Sequence, residues 1–166
     1  MGKLLALHYR KDTNDTEIFL ENGEIRTEDG KPEKLINRWC LSCGSSMQGR
    51  LEAARYLADI RSKVPVFLSE LSSTVLFPLF SSRSTGDNWW INDHMLIWMK
   101  AEERQAVNLI FADGTRIRLP YDIRILKRQR ENCEKIRRAL RMQKLPEEIA
   151  SCETDAVRNG LGKGQL

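Results

Sequence analysis

The residue types best suited to chemistry in this chain lie in Gly44-Ser45-Ser46-Met47-Gln48-Gly49-Arg50, where two glycines, two hydroxyls and an arginine meet at the start of a helix. Ser45-x-x-Gln48 reads as a capping box, in which Ser45 accepts from the Gln48 backbone N–H while the Gln48 side chain reaches back. The remaining free N–H groups and the helix dipole favour an anion, and Arg50 adds a full positive charge one turn in. A capped helix that binds nothing fits the same residues. Just upstream, Cys40-Leu41-Ser42-Cys43 is a C-x-x-C, and a thiolate at a helix N-terminus would be stabilised by the dipole and therefore reactive. Against that, Glu33 to Arg38 lacks the apolar character of the parallel strand that precedes such a motif in redox folds. Two partly buried structural cysteines are the plainer reading.

Other catalytic chemistry finds little support. His8 and His94 are the two histidines, and neither sits in a nucleophile or metal motif. A second close-spaced pair to complete a zinc site with Cys40 and Cys43 is missing. The chain has no G-x-x-x-x-G-K-[ST], H-E-x-x-H or G-x-S-x-G. It is expected not to be an enzyme and to need no metal or cofactor.

A second source of chemistry is charge. From Arg116 to Lys144 eleven lysines and arginines face three carboxylates, a local +8 in a chain of 166 residues whose total is +4. A net-acidic body carrying a basic segment is the asymmetry of a nucleic-acid or anionic-surface binder. Within the segment, Leu126, Cys133, Ile136 and Leu140 form a seam, so Asp122 to Met142 is an amphipathic basic helix. Glu131 and Glu134 are its local partners. Most of its arginines therefore lack a neutralising neighbour, and phosphates would supply one. The alternative for each arginine is a solvated, solubilising side chain. The aromatics Trp89, Trp90 and Trp98 fall in apolar runs and read as core or dimer contacts, which makes duplex binding through backbone charge the simpler mode.

The elements that must position these groups are short and mixed. Leu4 to Tyr9 is an apolar-rich run, and Glu17 to Thr27 folds back around Asn22-Gly23. Leu35 to Leu41 is expected to form another strand. Met47, Leu51, Ala54 and Ala58 give Met47–Ile60 an inward helical face. Val66 to Leu68 and Thr74 to Phe77 read as buried strands after Pro65, with Ser81 to Asn88 a polar loop. Ala106 to Phe111 and Arg116 to Leu119 flank Asp113-Gly114, the mark of a tight type I′ hairpin. Strands outnumber helices and the connections are too short for parallel crossovers. The expected fold is α+β: a single domain with a mostly antiparallel sheet, one capped internal helix and a basic C-terminal helix. Residues 1–145 are expected to be the domain and 146–166 a C-terminal tail.

The 41% hydrophobic share is ordinary for a globular chain. No run approaches the roughly 20 apolar residues of a membrane span. No membrane association is expected. The four cysteines are few and unevenly placed for a secreted disulfide framework, which points to the cytoplasm.

Three blocks in order carry a resemblance: Gly44 to Arg50 (GSS-x-x-GR), Leu76-Phe77-Pro78-Leu79-Phe80-Ser81-Ser82 (LFP-x-x-SS), and Trp90-Ile91-Asn92-Asp93-His94 (W-I-x-x-H). Together they resemble the ComK family of competence transcription factors of low-GC Gram-positive bacteria, from about Arg38 to about Tyr121 and less clearly into the basic helix. The resemblance implies a DNA-binding transcriptional activator of DNA uptake, working in the cytoplasm at the nucleoid. It implies recognition of AT-rich boxes in double-stranded DNA through the minor groove, by homodimers with two dimers on a full site, and delivery to a Clp protease by an adaptor. The matched blocks nominate Ser45, Ser46, Arg50 and Arg83 as DNA contacts, and charge alone adds Lys127, Arg128, Arg137 and Arg138. The competing classes are a partner-binding adaptor that does not touch DNA, and a thiol redox protein built on Cys40 and Cys43.

Overall fold

The computed structural model describes residues 2–81, 86–103, 105–143, 146 and 149. Among the described residues nine strands form two antiparallel sheets packed with three α-helices, the α+β single domain expected. The larger sheet comprises β1 (Leu4–Arg10), β2 (Asp15–Leu20), β3 (Ile25–Asp29), β4 (Val66–Phe67), β5 (Val75–Pro78) and β6 (Asn88–Asn92), in the order β3-β2-β1-β6-β5-β4. The smaller sheet is β7 (Leu96–Glu102), β8 (Ala106–Phe111) and β9 (Arg116–Leu119), in that order. The helices are α1 (Pro32–Ser42), α2 (Met47–Ala58) and α3 (Ile123–Arg141).

Strands β5 and β6 are buried along their whole length because the sheet is covered on both sides there. Alternate side chains point to opposite faces of a strand. Phe77, Trp89 and Ile91 accordingly join a core with Phe111, Leu126 and Ile136, beneath the smaller sheet and α3. Their neighbours Leu76 and Trp90 join a second core with Ile36 and Cys40 of α1. The smaller sheet is one-sided: Val107, Leu109 and Leu119 are buried, whereas Trp98, Lys100, Arg116 and Arg118 are exposed.

Three expectations change. Leu35 to Leu41 is part of α1, not a strand. Pro32 sits in the first turn with Glu33 beside it, a helix start, and Ile36 and Cys40, four apart, share the buried face. The Asp113-Gly114 turn is not type I′, which requires positive φ at both central residues. Only Gly114 has it, at 86°, and the Gly114 N–H donates to the Phe111 carbonyl at 2.9 Å, closing a turn that ends on a left-handed glycine. Helix α2 stops at Ala58, because Asp59 turns left-handed (φ 50°) and caps it. The β2–β3 hairpin forms as expected around Asn22, itself at φ 64°. Of the expected tail 146–166, all but Pro146 and Ile149 lies outside the described residues.

Candidate nucleic-acid interface

Helix α3 starts where the Asp122 carboxylate accepts the Arg124 N–H at 2.8 Å. Leu126, Gln129, Cys133 and Ile136 are its buried side chains. Gln129 is the polar member of that seam, and its amide donates to the Lys63 and Pro78 carbonyls, fastening the helix to the end of β5. The basic residues of the helix divide into two sets, one flanking this seam and one opposite it. Arg130 and Arg137 turn toward Asp93, which is only 5% exposed. Arg130 Nε lies 2.8 Å from Asp93 Oδ1, and Arg137 Nη1 lies 2.6 Å from Oδ2. Arg130 also donates to the Leu96 carbonyl at 3.0 Å, and Arg137 to that of Ser73 at 3.2 Å. Asp93 is the partner that local reading of the helix missed. Arg124 pairs with Asp122, and Arg141 with Glu134.

Lys127, Arg128, Lys135 and Arg138 form the second set. All four are exposed and make no ion pair among the described residues. Lys127, Arg128 and Lys135 line a shallow depression of about 340 Å³ with Arg124, Glu131 and Asn132. Of the four helix residues nominated from charge, Lys127, Arg128 and Arg138 are therefore available to a polyanion, and Arg137 is held by Asp93.

The Asp122 carboxyl is tuned by the same geometry. The Arg124 guanidinium, 2.6 Å away, with the Arg124 N–H, lowers it from 3.8 to about 2. A carboxylate whose folded value is depressed stabilises the fold fully above its unfolded value and loses that contribution as pH falls through the folded one. An NMR carboxyl titration is expected to place Asp122 near 2, and Arg124→Ala to move it back toward 3.8.

The block at Gly44 to Arg50 departs from its sequence reading. The cap of α2 is Ser46, not Ser45: Ser46 Oγ accepts the Gly49 N–H at 3.0 Å, and the Gln48 side chain donates to Glu52 instead of reaching back. Asn37 of α1 accepts the Met47 N–H at 2.9 Å. Two amides of the first turn are thus satisfied from within the protein. A Cβ at Gly49 would stand 2.8 Å from Ser45 Oγ, so a larger residue there would make the Ser45 hydroxyl rotate away. Arg50 is 7% exposed. It donates to the Cys43 carbonyl at 3.0 Å and to Glu70 at 3.2 Å, and its guanidinium carbon lies 4.9 Å from the centre of the Phe67 ring. It braces the α1–α2 connection against the segment that follows β4. Gly44, Ser45, Gly49 and Arg50 line a pocket of about 460 Å³ with Leu140 and Gln143 from the end of α3, so the block lies beside the far end of the basic helix from Lys127 and Arg128. Arg83 lies outside the described residues.

Cys40 and Cys43 stand at the C-terminal end of α1, the opposite of the N-terminal setting that activates a thiolate. Burial pushes the Cys40 thiol up. Cys43 is exposed. This geometry gives a redox reading no support. His8 stacks on Trp89 at 4.2 Å and bonds to Glu17, and His94 bonds to Ser73, so both histidines have structural partners.

Fold and surface together define a small α+β protein that displays a basic helix face with no ion-pair partner among the described residues. The ComK protein family model matches residues 4–145, and the chain belongs to that family. A competence transcription factor from Bacillus subtilis (strain 168) is 29% identical to it over 90 residues, 54% of this chain and 46% of that protein. The match thus spans less than half of that relative's length. No solved structure matches the chain.

Proposed function

We propose that this protein is a DNA-binding regulator of the competence transcription programme, recognising AT-rich duplex through the minor groove. Family membership supplies the class, and the observation that carries the DNA reading is the set of four exposed cations on α3 that form no ion pair among the described residues. Each lysine or arginine that neutralises a phosphate releases condensed counterions, contributing about 0.9 to the slope of log affinity against log salt. A·T tracts suit such a surface because their narrow minor groove concentrates negative potential and attracts basic side chains. Homodimers, paired on a full site, belong to the same proposal. Sedimentation of the protein with and without duplex would count them.

The test is fluorescence anisotropy of a labelled AT-rich duplex over a salt series, with a minor-groove drug as competitor. Joint replacement of Lys127, Arg128, Lys135 and Arg138 by alanine is expected to flatten the salt slope by about three to four units. It should weaken AT-rich and scrambled duplexes alike, because phosphate contacts position the protein without reading sequence. An unchanged slope would remove α3 from the interface. Absence of any binding at low salt would remove the DNA reading itself.

A further inference from the structure

The outer face of the smaller sheet combines exposed apolar and basic side chains in a way the helix does not. Registers across β7, β8 and β9 place Trp98, Ile110 and Arg116 in one row and Lys100, Asn108 and Arg118 in the next. Residues two apart on a strand share a face, so both rows point away from the core that takes Met99, Leu109 and Ile117. Trp98 is 62% exposed, whereas Trp89 and Trp90 are buried. A register irregularity between Leu96 and Trp98 sits at this spot, and it brings Ile97 to the surface beside Trp98. Such irregularities re-aim side chains.

The charges on this face point to one occupant. Among its described residues the carboxylate is Glu102, held by Arg118 at 2.7 Å with Lys100 near enough to favour its charged form, so three cations share one carboxylate and Arg116 has no ion-pair partner among the described residues. A second copy laid face to face would set these cations against their own kind. A polyanion with flat apolar surfaces inside it meets both the cations and the indole. Sheets do enter DNA grooves, and apolar wedges on minor-groove proteins insert at base steps and partly unstack them.

We infer that the outer face of β7–β9 is a second duplex-binding surface in which Trp98 stacks at a base step while Lys100 and Arg116 hold the flanking phosphates. The inference rests on the DNA reading above, and it assigns to the sheet a non-electrostatic contact that α3 does not supply.

Anisotropy with the AT-rich duplex separates the two. Because Trp98 is exposed, Trp98→Ala is expected to keep the thermal midpoint of the wild type. It should weaken duplex binding roughly tenfold or more with the salt slope unchanged, since stacking is uncharged. Trp98→Phe, which keeps a ring, should recover most of that loss. Joint Lys100→Ala and Arg116→Ala substitution should instead flatten the slope by about two units. In the wild type, duplex should quench an emission component that Trp98→Phe lacks. Wild-type binding with an unaltered Trp98→Ala affinity overturns this inference and leaves the α3 reading standing. Sedimentation in which Trp98→Ala converts a dimer to a monomer overturns it too, by making the face a self-contact. No wild-type binding at all overturns both.

Discussion

Asp93→Ala is expected to lower stability by about 3 kcal/mol or more, the largest single effect in this molecule, because it strands two arginines that have turned inward. Asp93 lies in the corner between β6 and β7, where the chain leaves the larger sheet for the smaller one, and its own N–H donates to the Val75 carbonyl at 3.0 Å. Its two oxygens receive Arg130 and Arg137 at 2.8 and 2.6 Å. The carboxylate thus ties the corner to the middle of α3. Removing one partner of a buried pair leaves the other charge desolvated, which costs far more than the pair contributes net. The arginine side chains are 34% and 18% exposed, so water can recover part of that loss, which keeps the figure at the low end. Urea denaturation measures it. A double-mutant cycle with Arg137→Ala should show strong coupling, the double variant losing less than the two singles together. A loss under about 1 kcal/mol for Asp93→Ala would place the pairs among surface ion pairs of little consequence.

Arg50→Ala should cost about 2–4 kcal/mol. Three terms add: the hydrogen bond to the Cys43 carbonyl, the contact over Phe67, and the space left by a side chain only 8% exposed. The ion pair with Glu70 adds little, since the Glu70 carboxylate is itself exposed. Arg50→Lys keeps the charge but loses the fork that reaches Cys43 and Glu70 together, so it should restore only part of the stability. The duplex assay distinguishes bracing from phosphate contact. At low temperature, where the variant stays folded, a bracing Arg50 leaves the salt slope of DNA binding as in the wild type. A slope flattened by about one unit would assign Arg50 to a phosphate.

These two residues show where reading a chain in order reaches its limit. Helix α3 was legible because its apolar seam recurs at helical spacing over about four turns, and local sterics alone decide that pattern. The β2–β3 hairpin was legible for the same reason, since Asn22-Gly23 tolerates the positive φ the turn requires. Helix α1 was not: a seven-residue run of apolar and polar residues fits either period, and packing of Ile36 and Cys40 against Trp90 decides it. The cap of α2 moved by one residue because Ser45 and Ser46 are equally able to cap. Asn37, ten residues upstream, takes the Met47 N–H and selects Ser46.

Along α3 the order of residues specifies a basic helix and how many cations it carries. It could not sort them. Arg137 and Arg138 are adjacent and chemically identical, yet one is gripped by Asp93, 44 residues away, and the other is open to solvent. The tryptophans divide in the same manner, Trp90 beneath α1 and Trp98 on an uncovered sheet face. Helical or strand period is set by neighbours a few residues apart, so it is written locally in the chain. Which face of an element meets a partner depends on where distant segments close against it, and that is set by contacts between residues far apart in the chain.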